Sequence, residues 1–345
     1  MSVATAGKVN IIAPVYDCHC FSRPSTECLR PSRTQGKNMQ RSSEYVDLQV
    51  NGYLGVDFNS DQLTAEDLHT ACAAIRESGV AGILATIITD HMEVMVARLS
   101  RLRQLHEADP LVRETVWGIH IEGPFINREK GYVGAHPPDA VRPANLDDAK
   151  KLVEAAGGLA RLVTLAPEGD QGMQVTRFLA DAGVRVSAGH CNPSLEQLRA
   201  AIDAGLTLFT HLGNGCPAQV DRHDNIIQRV LSLADQLIVC WIADGIHVPF
   251  MALANYLKCV DFDRSLVVSD AISAAGLGPG RYSLGEHEVI VDENLSTCMD
   301  GDTSHLAGSA TSLPQMAAKL RDQLGLTEQQ VQTLCCGTPR RVLGL

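Results

Sequence analysis

From Tyr45 onward the apolar residues fall into two alternating kinds of segment. Short runs rich in β-branched residues sit near Val46–Val50, Gly82–Ile87, Val116–Ile121, Leu162–Leu165, Val184–Ala188, Thr207–His211, Leu237–Ala243 and Leu266–Asp270. Between them, apolar residues return every three or four positions, the period of a helix packed by one face. One helix is predicted behind Thr64, with Asp67 at the third position of a capping box, Leu68, Cys72 and Ile75 facing inward, and Gly79 ending it. Another is predicted with Asn192 as its cap, Pro193 at the first position, Leu195, Leu198 and Ile202 inward, and Gly205 behind it. Strands alternating with helices imply βαβ units and a parallel sheet. Eight such units over about 240 residues have the count and size of a (β/α)8 barrel, so the predicted fold class is α/β, a TIM barrel.

A barrel of this kind carries its chemistry at the C-terminal strand ends and in the loops just after them. Gln49 and Asn51 close the first predicted strand, Glu122 ends the third, His190 follows the fifth, His211 ends the sixth, His247 follows the seventh and Asp270 ends the eighth. His120 and Glu122 are two residues apart on one strand, so both face the barrel interior. A buried carboxylate without a partner is costly and calls for a cation. Two neutral imidazoles and one carboxylate suit Zn2+ or Fe2+, with a position left open for water. Glu122, His190 and His211 are therefore the expected ligands of one divalent metal ion, with zinc the first choice, and His120 is expected in a core or supporting role.

Opposite such a metal, Asp270 reads as the proton carrier rather than a mere helix cap. His247, aimed by the turn-forming Ala243-Asp-Gly245, reads as a group that polarises a substrate carbonyl. Arg222, in the loop after His211, is open to two readings from spacing alone: pairing with an anionic substrate, or plain solvation. Asn214 and Gly215 offer backbone N–H groups to an anion. Gly308 allows a close backbone approach. Cys335 and Cys336 read as packing in a C-terminal helix.

Composition narrows the class. The chain has 345 residues, 45% hydrophobic and 20% charged, which excludes a disordered or fibrous protein. The net charge of −11 argues against nucleic acid as the main partner. The longest apolar run, Leu237–Ala243, is far short of the roughly 20 residues that span a bilayer. No secretory segment opens the chain. The 11 cysteines form no Cys-x-x-Cys pair, and several sit in apolar runs, so a cytoplasmic protein with free thiols is expected. Residues 1–43 differ from the rest: six Lys/Arg against two Asp/Glu give a net +4, leaving −15 for the remainder. This stretch is expected to be a poorly ordered extension (residues 1–44), with one short strand at Val9–Ile12. Cys18, His19, Cys20 and Cys28 fit no zinc spacing. A targeting peptide and a start at Met39 are the other readings of it.

Several stretches together resemble the N-acetylglucosamine-6-phosphate deacetylases of the amidohydrolase superfamily. They are Asp47-Leu-Gln-Val-Asn-Gly52, His120-Ile-Glu-Gly-Pro-Phe125, Lys130-Gly131, Gly134-Ala-His136, Val186-Ser-Ala-Gly-His190, Thr210-His-Leu-Gly-Asn-Gly215, Ile242-Ala-Asp-Gly-Ile-His-Val248, Val268-Ser-Asp-Ala271, Leu306-Ala-Gly-Ser-Ala310 and Thr338-Pro-Arg-Arg-Val-Leu-Gly344. The resemblance runs in order from about residue 45 to the end. It implies a metal held by Glu122, His190 and His211, Asp270 as general base and acid, and His247 orienting the N-acetyl carbonyl. It implies sugar-phosphate contacts by Asn214, Gly215 and Arg222, with His136 near the sugar and Ala307 and Gly308 in the substrate-binding Leu306–Ala310 stretch. Gln49 and Asn51 stand where many superfamily members carry a His-x-His pair for a second metal, so one metal is expected. The implied reaction is deacetylation of N-acetylglucosamine 6-phosphate, and the implied assembly is a homodimer, with neither nucleic acid nor membrane as partner. The alternatives are an amidohydrolase of another N-acyl amino sugar or related amide, and a catalytically degenerate barrel. The sequence departs from the family in two ways. The small β-sandwich built from both chain ends looks missing, and Gly213, Gly215 and Cys216 replace the usual aromatic and Ala-Met.

Overall fold

The computed structural model describes residues 44–284, 287–299 and 306–345. Strands β1 (Tyr45–Val50), β2 (Val80–Ile88), β3 (Val116–Glu122), β4 (Ala160–Leu165), β5 (Arg185–Ala188), β6 (Leu206–Phe209), β7 (Ile238–Ile242) and β8 (Ser265–Val268) pair in chain order into one parallel sheet. Its two edges meet. Val50 forms a parallel bridge with Ala271, and the Asn51 N–H donates to the Ala271 carbonyl at 2.7 Å. A side chain stitches the same seam: β1 is irregular between Asp47 and Val50, and the buried Asp47 carboxylate accepts from the N–H groups of Gln49 (3.3 Å) and Ser269 (3.0 Å). The result is the expected (β/α)8 barrel. Its strands are buried almost throughout, as the unbroken apolar runs required.

The predicted strands and the observed ones differ most where the site begins. β6 stops at Phe209 and β8 at Val268, so His211 and Asp270 lie just past the strands, whereas Glu122 is still inside β3. The reason is backbone conformation: φ is +32° at His211 and +51° at Asp270, outside the β region. Helix α1 (Ala65–Glu77) starts as predicted, with the Thr64–Asp67 capping box formed and Leu68, Cys72 and Ile75 buried. The helix expected from Asn192 starts two residues later, as Leu195–Asp203. Ser194 is its cap and makes the reciprocal box with Gln197. Asn192 is committed elsewhere, its N–H donating to Glu168 and its side-chain Oδ1 accepting from Arg229.

A three-stranded antiparallel meander, Gly280–Leu284, His287–Val291 and Thr297–Met299, was not expected. It rests on a small core of Ile272, Ala274, Val289, Val291, Ala307 and Ala310 beside the end of β8. Cys335 and Cys336 are buried as expected, in a wide π-type turn at Thr333–Gly337 rather than a regular α-helix. The expectations for residues 1–43 lie outside the described residues: the Val9–Ile12 strand, the Cys18–Cys28 group, the poorly ordered extension and the N-terminal half of a sandwich. Among the described residues no helix is long and apolar enough to cross a membrane.

Candidate active site

Glu122 occupies the last position of β3, 2% exposed. Its Oε1 lies 3.0 Å from His211 Nε2 and 3.5 Å from His190 Nε2. His190 makes the chemistry legible. Its Nδ1 lies 2.8 Å from the Tyr132 carbonyl oxygen, which can only accept, so Nδ1 carries the proton. In the neutral ring the Nε2 lone pair then points at a buried carboxylate oxygen. Two electron-rich atoms held this way need a cation between them, so the donor set fits a metal ion. His136 belongs to the same group: its Nε2 is 3.3 Å from His190 Nε2, and ligand atoms of Glu122, His136 and His190 lie within 4.8 Å of one another. The sequence reading kept His136 for the sugar; here it falls in the close group with Glu122 and His190, a group that leaves out the expected ligand His211, although His211 Nε2 touches Glu122. Burial pushes His136 down to about 3 and His120 down to about 4, so both rings are neutral. His120 is fully buried with its Nε2 2.7 Å from Thr164 Oγ1, in keeping with the core or supporting role expected of it.

The remaining predicted groups surround this cluster. Gln49 Nε2 sits 3.1 Å from both Glu122 oxygens and 3.0 Å from Asp270 Oδ1, and Asn51 Nδ2 donates to the same Asp270 oxygen at 2.8 Å. One amide thus bridges two carboxylates at a place where a cation would otherwise be needed. Burial and the Glu122 charge raise the Asp270 carboxyl above its ordinary value. For Glu122, burial acts upward, but the bonds and charges of His190 and His211 outweigh it and hold the group well below the usual range. His190, His211 and Asp270 all have left-handed backbones, with φ of +50°, +32° and +51°, a strained state for non-glycine residues that clusters at functional sites.

His247 Nδ1 lies 2.7 Å from Asp244 Oδ2, and Asp244 Oδ1 accepts the Ile246 and His247 N–H groups at 2.8 Å each. Burial alone would raise Asp244, but the bond and charge of His247 and these two amides lower it. The sequence reading used the turn-forming character of this segment and missed Asp244 as the group that orients His247. The Asp-x-x-His spacing carried that signal, since a carboxylate can cap the turn it begins.

The substrate-side residues are less tightly joined. The Asn214 N–H and its Nδ2 both turn to the His211 carbonyl, at 3.0 and 3.3 Å. Of the two backbone amides expected to face an anion, only that of Gly215 is without an acceptor among the described residues. Gly215, at φ +60°, lies flat against His190, where a Cβ would stand 2.9 Å from Nδ1. Arg222 is exposed in the loop after β6 and has no ion pair among the described residues. Ala307 is buried in the small core under the meander. A Cβ on Gly308 would lie 2.5 Å from Ile272 Cγ2, so the close backbone approach expected there is observed.

A parallel barrel with two carboxylates and several imidazoles gathered at one mouth has the architecture of a hydrolase of the amidohydrolase type. Comparison with family profiles gives no match. The chain is 33% identical over 325 residues to human N-acetylglucosamine-6-phosphate deacetylase, covering 87% of this chain and 74% of that one. It is 31% identical over 305 residues to the N-acetylgalactosamine-6-phosphate deacetylase of Escherichia coli, covering 87% and 77%. Its fold matches a mutant N-acetyl-D-glucosamine-6-phosphate deacetylase of Mycobacterium smegmatis, solved in complex with N-acetyl-D-glucosamine-6-phosphate. That match has a TM-score of 0.79 and 28% identity, over 88% of this chain and 78% of that one. The chain belongs to the N-acetylglucosamine-6-phosphate deacetylase family.

Proposed function

We propose that the protein hydrolyses the acetamide of N-acetylglucosamine 6-phosphate, yielding glucosamine 6-phosphate and acetate, with residues 45–345 as the catalytic unit. The observation that carries this reading is the His190 Nε2 lone pair facing Glu122 in a ring whose other nitrogen is committed to Tyr132, at the mouth of a barrel of this family. Glu122, His190 and His211 are the residues that hold one divalent cation, zinc in this reading, with Fe2+ the other ion the donor set suits. When bound, such an ion polarises a carbonyl and lowers the pKa of water from roughly 15.7 toward about 7.

Asp270 takes the proton of the attacking water. Its Oδ1 is fixed by Gln49 and Asn51, which leaves Oδ2 for proton traffic. The same carboxyl then gives that proton to the departing amine nitrogen. His247, held through Nδ1 by Asp244, turns Nε2 to the acetyl oxygen. Arg222 and the Gly215 amide are the candidate phosphate contacts, with His136, Asn214, Ala307 and Gly308 around the sugar. All eight cysteines among the described residues are free, which supports a reducing, cytoplasmic setting. A homodimer is the assembly in this reading.

Asp270→Asn keeps the shape of the site and removes the proton carrier. It should retain zinc while acetate release falls about 10²- to 10⁴-fold; full activity in this variant would remove Asp270 from the reaction. The glycine-rich loop, Gly213, Gly215 and Cys216, favours a second reading in which another N-acyl amino sugar phosphate is preferred. Comparing kcat/KM for the glucosamine and galactosamine derivatives decides between them.

A further inference from the structure

The Leu306-Ala-Gly-Ser309 stretch enters the reading above only through Ala307 and Gly308. Ser309 is fully buried and has four directed bonds. Its N–H donates to the Asp270 carbonyl at 2.9 Å, and its own carbonyl accepts from Ile272 N–H at 3.1 Å. Its hydroxyl accepts from Thr311 N–H at 3.1 Å, so the hydroxyl proton points the other way, to Asp244 Oδ2 at 3.1 Å. That oxygen is the one holding His247 Nδ1–H. Lys319 Nζ adds a bond to the Asp244 carbonyl at 2.9 Å, anchoring the turn from the other side.

The backbone of Asp270 and the carboxylate that orients His247, from different strand ends, therefore meet at one serine. We propose that Ser309 is a positioning residue for the reaction: its hydroxyl fixes the Asp244 carboxylate that orients His247, and its backbone fixes Asp270, so it sets the relation between the proton carrier and the carbonyl-facing imidazole. This rests on the deacetylase reading. Without the hydroxyl, Asp244 Oδ2 loses one of its two donors, and the carboxylate, pinned only at Oδ1 by two amides, holds the His247 ring less firmly. Glu122, His190 and His211 are not among its partners, so metal binding is left alone.

The test is Ser309→Ala in the full-length protein, alone and combined with His247→Gln. Removing one hydrogen bond to a charged group should lower kcat about 10- to 100-fold, with little change in KM or zinc content. In the His247→Gln background the same substitution should have almost no further effect, because the serine hydroxyl acts through that ring. An unchanged kcat in the single variant, or an undiminished fall in the His247→Gln background, would overturn the proposal. A purely structural serine would lower activity equally in both backgrounds. Ser309→Cys, which fills the space with a poor donor, carries the same prediction if the alanine variant does not fold. Ring-nitrogen NMR on histidine-labelled protein needs no substrate. The His247 Nδ1–H signal should be sharp in the parent and broadened in the variant, and an identical signal in both overturns the proposal. A parent protein that releases no acetate would instead count against the deacetylase reading, and the NMR comparison would still decide the role of Ser309.

Discussion

At Glu122 the chain sets a buried carboxylate against two imidazole nitrogens, at 3.0 and 3.5 Å, and a bridging amide covers its other side. Each contact is tolerable only in a particular protonation and ligation state, and this ties the residue scale to function. Asp47 is the clearest independent case. Burial lifts its carboxyl to about 7 in the folded protein, against the hydrogen bonds from Ser269 and Gln49. An unfolded-chain aspartate titrates near about 3.9. Between those values the folded state keeps a proton that the unfolded state has lost, so stability falls as pH rises from about 4 to about 7. Asp47→Asn keeps the accepting oxygen and removes the charge. Its thermal midpoint should fall less than the parent's as pH is raised from about 5 to about 8, and parallel curves would refute the burial account.

At the scale of elements, what could be read from the sequence depended on how local the cause was. The Thr64–Asp67 box and the buried stripe of α1 were legible because cap and period lie within one helix. The start of Leu195–Asp203 was misread by two residues. Asn192 and Ser194 are both good caps, and a long-range choice decided between them: Glu168 and Arg229 claim Asn192. The polar residues after each strand gave most of the side chains that the fold gathers at one mouth, because a barrel puts strand ends together whatever the loops do. The His136–His190 contact was not legible, since it depends on loop paths that no period encodes, whereas Asp244 was legible in the local Asp-x-x-His spacing but went unused. The meander was missed because its strands are short and its small core is shared with residues after β8. Ser194 offers a local test. Ser194→Ala should destabilise the protein by about 1 kcal/mol in urea titration, with acetate release unchanged. A loss of activity would mean that this helix start steers His190, four residues upstream.

For the whole molecule, closure of the barrel is what makes the site. Gln49 and Asn51 from one edge of the sheet reach Asp270 from the other, across the seam where Val50 meets Ala271. One of these amides stands between Glu122 and Asp270, which argues for a single metal per chain rather than two. Zinc should raise thermal stability as well as activity, since a ligand bound only to the folded state adds about 2.7 kcal/mol at a hundredfold excess over its dissociation constant. The most direct test of the account is a zinc titration of chelator-stripped protein, following acetate released from N-acetylglucosamine 6-phosphate. We predict no release from the stripped protein and a linear rise that saturates at about one zinc per chain, the number one Glu122-centred site can hold. Release that survives stripping, a requirement for two zinc ions, or zinc bound without any acetate released would contradict it.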